Sequence, residues 1–381
     1  MKNLLLSIVC GALVASTAVY SQSLQETLQK VGGNAAAGYV SPVANGFGAD
    51  LNGGWFHKAP SSTMLGFDLE IGVVAMGAPF KDADKTFDTN GDFRFDQGQT
   101  SELVTAAVPI SPGDPLAAQK NSLRTSLTNK IANTDFNIRI NGPTASGNQF
   151  VSNVKTPNDQ VTITFSSRAI TIPYTNPATG KTKDTTLTIP AQVFPLAFGG
   201  VPDIQKLSLV PSGAPQVTIG TIVGTQLTFR YLPSLSQLSV IGKISFEGYG
   251  IAHNPGVWFP TPLPVDFALS YFTQTLKFDP YMTAKSNAFG LNVSKRFGPG
   301  ALNLTPYAGF LVESSKLTFS YTPTATLAAG VVAPPVSFEL DGANTSRIVL
   351  GVSFKLVFIN INADYDIGKY NSFTGGVMFI I

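Results

Sequence analysis

The sequence predicts an all-β fold, a transmembrane antiparallel β-barrel of about twelve strands (about ten to fourteen), and three observations predict it. The first is the run Ile359–Ile367, where every odd position is apolar or aromatic and every even one is polar. Successive side chains of a strand point to opposite faces, so this segment has one oily and one wet face. The preceding segment repeats the pattern, with Ile348, Leu350, Val352, Phe354 and Leu356 on one side and Arg347, Ser353 and Lys355 on the other. The second observation is that beyond the first 20 residues no apolar run is long enough to span a bilayer as a helix, while charged residues make up only 13% of 381. The third is the supply of 36 Gly, 27 Phe and 11 Tyr, the residues that tight turns and interfacial girdles consume.

In chain order, Lys2 followed by the apolar Leu4–Val19 reads as a secretory signal over residues 1–21. Cys10, the only cysteine, lies inside it, so a mature chain has no thiol chemistry or disulfide. Residues 22–46 read as a plug-like segment, with Leu24, Leu28 and Val31 at helical spacing. Residues 47–110 are expected to hold barrel strands at 48–56, 65–73 and 103–110. Trp55 and Phe56 close the first of these as interfacial aromatics. Residues 111–212, rich in Pro, Thr, Asn and Ser, form a β-rich insertion that lies outside or folds into the lumen. Residues 213–381 supply the remaining strands. Val357-Phe358 serves as a two-residue turn despite poor turn chemistry, and Trp258 and Phe259 sit at a second membrane surface.

Inward positions are expected at Asp68, Glu70, Arg230, Lys243, Glu247, Asp266, Arg296, Arg347, Lys355, Asp364 and Asp366, a mixed lumen in which Arg347 lies diagonal to Asp366. On the last strand Phe373, Val377, Phe379 and Ile381 share one face and form a candidate membrane-assembly signal. Asp88-Thr89-Asn90-Gly91-Asp92 resembles a calcium loop, but Phe93 and Gln99 stand where Gly and Glu belong, so a solvated acidic turn is expected. No metal site, cofactor motif or catalytic residue is expected. His57 and His253 are not flanked by a nucleophile motif, and an enzyme reading would gain ground only if Ser or Thr hydroxyls lay within hydrogen-bond reach of them. A net charge of +2 argues against a nucleic-acid partner. The expected partners are outer-membrane lipid, the barrel-assembly machinery and a small-molecule solute.

At Gly46–Phe67, at Val217–Phe259 and at Asp364–Asn371 the chain resembles an outer-membrane barrel family common in Bacteroidota, and in architecture it is distantly similar to FadL-type transporters of hydrophobic compounds. Their Asn-Pro-Ala signature is replaced here by Gly33-Asn34-Ala35-Ala36-Ala37. The resemblance implies a bacterial outer-membrane location and a passive channel or transporter for small or hydrophobic molecules. The alternative is a surface-interaction protein in which the barrel anchors the 111–212 insertion.

Overall fold

The computed structural model describes residues 21–95, 97–148, 159–175, 179–195, 200, 202–235, 243–321, 326–327, 331–332 and 336–381. The expected signal over residues 1–21 therefore falls almost wholly outside the described residues. The chain divides into two compact units: residues 40–85, 201–321 and 337–381 form one, and residues up to 39, 86–200 and 322–336 the other.

The first unit is a closed antiparallel barrel. Its strands are β1 (Leu65–Pro79), β2 (Leu209–Ile222), β3 (Thr225–Leu235), β4 (Lys243–His253), β5 (Asp266–Asp279), β6 (Met282–Ser294), β7 (Leu302–Tyr321), β8 (Ser346–Leu356), β9 (Ile359–Gly368) and β10 (Ser372–Ile380). Each pairs with the next, and β10 returns to β1 with Ile71 opposite Phe379 and Val73 opposite Val377, which closes the ring. Val336–Asp341 adds an eleventh strand beside β7, outside the ring. Ten strands close the barrel, two fewer than the twelve expected.

Both corrections to the count lie early in the chain. Residues 48–56 are not a strand: Ser21–Leu51 is one helix, α1, and Asn52–Lys58 continues it as an irregular segment. Residues 103–110 are not a strand either. They begin inside the helix α2 (Gln97–Ala107), whose buried Gln99, Thr100, Leu103 and Val104 follow the i, i+3, i+4 helical spacing rather than the period of two.

The late hairpins fold as their alternation dictates. Leu356 pairs with Ile359 across the two-residue turn Val357-Phe358, and Val357 takes φ 55°, the left-handed region that a β-branched residue enters only under strain. Outward positions on β7 stay apolar at Leu302, Leu304, Pro306, Ala308, Phe310 and Val312 and turn polar at Ser314 and Lys316, Thr305 and its odd-numbered neighbours pointing inward. Ten residues at about 3.3 Å each span about 33 Å along the strand, which at a tilt of about 40° is about 25 Å of height, the apolar band that a bilayer requires. Cross-strand registry carries the belt around: Ala308 faces Leu350, Leu350 faces Tyr365, and Tyr365 faces Phe373. Exposed apolar surface this continuous is the mark of a face that meets a membrane or another protein.

The same registry corrects two inward assignments. Glu247 lies opposite Thr275, Thr275 opposite Lys285 and Lys285 opposite Lys316, an outward polar row just past the apolar belt. Glu247 and Lys243 therefore point outward, since β4 buries Phe246, Gly248 and Gly250 instead. The alternation there was read one residue out of phase, which flips every side chain of a strand.

The second unit has its own cores. Leu103, Val104, Leu127 and Ile131 of α2 and α3 (Ala117–Ala132) pack with Phe136, Ile170 and Ile172. Phe93, Ile138, Ile140 and Val161 form a second cluster in a sheet of Thr86–Phe93, Phe136–Pro143, Thr162–Phe165 and Gln192–Pro195. Residues 111–212, expected as a β-rich insertion, hold the helix α3 as well as strands, and Leu209–Ser212 belong to barrel strand β2. The Asp88–Asp92 stretch is a strand and not a turn, and Asp88 accepts from the Arg139 Nε at 2.8 Å.

Candidate functional site

The barrel interior is occupied by the chain itself. From Val40 to Pro60, the end of α1 and the segment after it meet side chains from strands on opposite sides of the ring. Ala44 and Leu51 pack with Phe246, Leu276, Ala284 and Leu317 of β4 to β7, and Ala49 packs with Ala78 of β1. A helix with Gly46, Gly48 and Ala49 near its end is intrinsically weak. Here small residues are what fits: a Cβ on Gly46 would collide with the Val210 side chain, and one on Gly48 would lie 2.6 Å from the Ser315 Oγ.

The aromatic pair Trp55-Phe56 lies within the barrel and not at a membrane surface, which overturns its interfacial assignment; Trp55 is 3% exposed. Its indole stacks on Phe272 at 4.9 Å, and Phe56 meets Tyr307 edge-on at 5.9 Å. Glycines in the wall make the space: a Cβ on Gly248 would lie 2.9 Å from the Trp55 ring, and one on Gly309 2.6 Å from Phe56. Trp258 and Phe259, the other aromatic pair, are exposed beside the short 3-10 turn Pro255–Trp258.

Three charged groups of the wall grip this plug. Arg230 donates from Nη2 to the Gly53 carbonyl at 2.9 Å and from Nε to Gln216 at 2.9 Å, and its guanidinium lies 4.0 Å over the Trp55 ring. Arg347 donates to the Ala49 carbonyl while holding Glu313 (Nε to Oε2, 2.7 Å; Nη2 to Oε1, 3.1 Å) and Asp366 (Nη1 to Oδ2, 2.7 Å). The expected Arg347–Asp366 diagonal is thus present. Glu70 takes His57 Nε2 at 2.6 Å and Lys58 Nζ at 2.7 Å, two consecutive plug residues on one carboxylate. Burial works against the Lys58 charge, but the Glu70 and Asp68 carboxylates overcome it and hold the Lys58 ammonium above its ordinary range. Asp364 accepts from the Tyr307 hydroxyl at 2.8 Å.

Of the other expected inward groups, Asp68, Asp266, Arg296 and Lys355 gather at the end of the barrel that carries the Val223-Gly224 and Val357-Phe358 turns. With Lys58 they line a polar cavity of 290 Å³. Phe373, Val377, Phe379 and Ile381 all point outward. Sequence reasoning missed Asp50, His57, Lys58 and Glu313 as interior residues. Glu313 carried a signal, an acid at an inward position two residues from Leu311 within the β7 alternation; the plug residues carried none, because no strand period runs through them.

Both histidines do have hydroxyl partners. Ser353 Oγ lies 3.3 Å from His57 Nδ1, and Thr225 Oγ1 lies 3.0 Å from His253 Nδ1, whose Nε2 accepts from the Trp258 indole at 3.3 Å.

Comparison with solved structures finds similarity to OmpF of Salmonella typhi in complex with daunomycin (11% identity, 83% of this chain and 97% of that one, TM-score 0.17). OprB of Pseudomonas putida at low pH is matched at 8% identity, 85% and 100% coverage and TM-score 0.16, and OccK7 (OpdD) of Pseudomonas aeruginosa at 8%, 83%, 98% and 0.13. At these scores the barrel assignment rests on the closed strand pairing described above. No curated protein matches the chain. A family model does match, over residues 1–381, and the chain belongs to that family, described as a family of unknown function (DUF6588).

Proposed function

We propose that this protein is a conduit of the bacterial outer membrane for small molecules, held shut in the state described by residues 40–60. The observation that carries the reading is how the plug is held. A lumen that served only as a rigid anchor would be filled best by apolar packing, whereas much of this one is gripped through hydrogen bonds and ion pairs to Ala49, Gly53, His57 and Lys58. Polar contacts can be exchanged for water at modest net cost, while a dry core cannot. The polar wall left behind by Gln216, Thr228, Ser286 and Asn292 suits a hydrated solute better than a hydrophobic one.

Flux from liposomes tests the proposal. Protein lacking residues 22–60 is expected to release a small sugar or amino acid, and the full chain to release it at least about tenfold more slowly; equal release by both, or none by either, would refute it. A second reading is favoured by the independent cores of the 86–200 unit, which suit a surface-interaction module carried by the barrel. Loss of cell-surface binding on removal of that unit, with no change in flux, would favour it.

A further inference from the structure

We propose that Ser353, His57 and Glu70 form a hydrolytic triad opening on the polar cavity at the turn end of the barrel, with a small ester bearing an anionic group as its substrate. This goes beyond the conduit reading and does not depend on it.

The proton path is assigned by the partners. The Glu70 carboxylate can only accept, so at 2.6 Å it fixes the proton of His57 on Nε2. Nδ1 is then the unprotonated nitrogen, and it faces the Ser353 Oγ at 3.3 Å, so the hydroxyl donates to it. Nucleophile, base and orienting acid thus form one hydrogen-bonded chain, with the two ring nitrogens exchanged relative to the usual Ser-His-acid arrangement. Asn360 Nδ2 donates to the Ser353 Oγ at 2.6 Å, which occupies one lone pair of the oxygen. Of the three, only Ser353 lines the 290 Å³ cavity; His57 and Glu70 stand behind it, away from that cavity's wall.

In the reaction, Ser353 Oγ bonds the ester carbonyl carbon as its proton passes to His57 Nδ1. The bond from that carbon to the alcohol oxygen breaks, and the alcohol leaves with the proton, giving an acyl group on Ser353. Water then attacks the acyl carbon, losing a proton to the same nitrogen. The carboxylic acid departs and the Ser353 hydroxyl is restored. The Asn360 amide donates to the attacking Ser353 Oγ itself and so orients the nucleophile. Substrate class follows from the cavity. Its lining is polar and sets Lys58, Arg296 and Lys355 against Asp68 and Asp266; Lys58 is paired to Asp68, and Asp266 lies within the field of Arg296. The cations exceed the carboxylates, so an anionic substituent of the ester meets a net positive lining in which Lys355 enters no ion pair within 4 Å among the described residues.

The test uses the full chain folded in detergent, with folding followed by heat-modifiable migration. Diisopropyl fluorophosphate is expected to place one phosphoryl group on Ser353, read by mass spectrometry, with fluoride leaving; Ser353→Ala abolishes the adduct, and Glu70→Gln slows its formation about 100-fold, the low end of general-base contributions. An unlabelled Ser353 in folded wild type, or an unchanged rate in folded Glu70→Gln, would overturn the triad. For the substrate class, p-nitrophenyl hemisuccinate is expected to be hydrolysed faster than p-nitrophenyl acetate, with the preference lost in Lys355→Ala/Arg296→Ala. Equal rates on the two esters would overturn the anionic assignment.

Discussion

Replacing Arg347 with Met is expected to destabilise the barrel by about 3 to 5 kcal/mol, the cost of removing one partner from a buried ion cluster. Arg347 is 1% exposed and touches Glu313, Asp366 and the Ala49 carbonyl, so its loss leaves two carboxylates and a carbonyl facing one another in a water-poor interior. Asp50 is fully buried nearby and adds a third carboxylate to the cluster. The unfolding midpoint in urea reads the change; a shift equal to that of an exposed control such as Lys316→Met would mean the cluster contributes no cohesion. The quadruple replacement Arg347→Met/Glu313→Leu/Asp366→Leu/Asp50→Asn should recover much of the loss, since removing every charge of the cluster leaves none uncompensated.

A second large effect is expected at the seam. Val377 and Phe373 face outward on β10 within the apolar belt, opposite Val73 and Gly77 of β1. Arginine at both positions places two charges on the hydrocarbon side of the strand pair that closes the ring, at about 2 to 4 kcal/mol each near the midplane. Membrane-inserted protein should fall to below about a tenth of wild type. Undiminished insertion would mean that this face does not meet lipid. Glu247→Arg, on the polar row beyond the belt, should insert normally.

The strands of β7 to β10 were legible in the sequence because each has an apolar outward face and a polar inward one, and that contrast is written as a period of two. Lys243 and Glu247 were misplaced because β4 runs past the belt, where outward residues are polar too and the contrast vanishes. A plug-like segment was expected over residues 22–46, but its continuation at 48–56 was read as a strand, for a different reason. Gly46, Gly48 and Ala49 read as turn or strand material, and their helical state depends on the wall that surrounds them, a tertiary override of weak local propensity. The ion-paired interior was partly visible: Arg347 and Asp366 followed from hairpin registry. His57 and Glu70 could not be connected, because the irregular turn between Trp55 and Leu65 has no period to count along.

The most direct test places a nitroxide on Leu350→Cys, in a chain with no cysteine beyond Cys10, and reconstitutes it in liposomes. Leu350 faces Ala308 and Tyr365 at the middle of the apolar belt. The label should relax readily with oxygen, which concentrates in acyl chains, and be shielded from a water-soluble nickel chelate, while a label on Lys316→Cys shows the reverse. Equal access of the chelate to both sites would contradict a barrel whose greasy side is solvated by lipid.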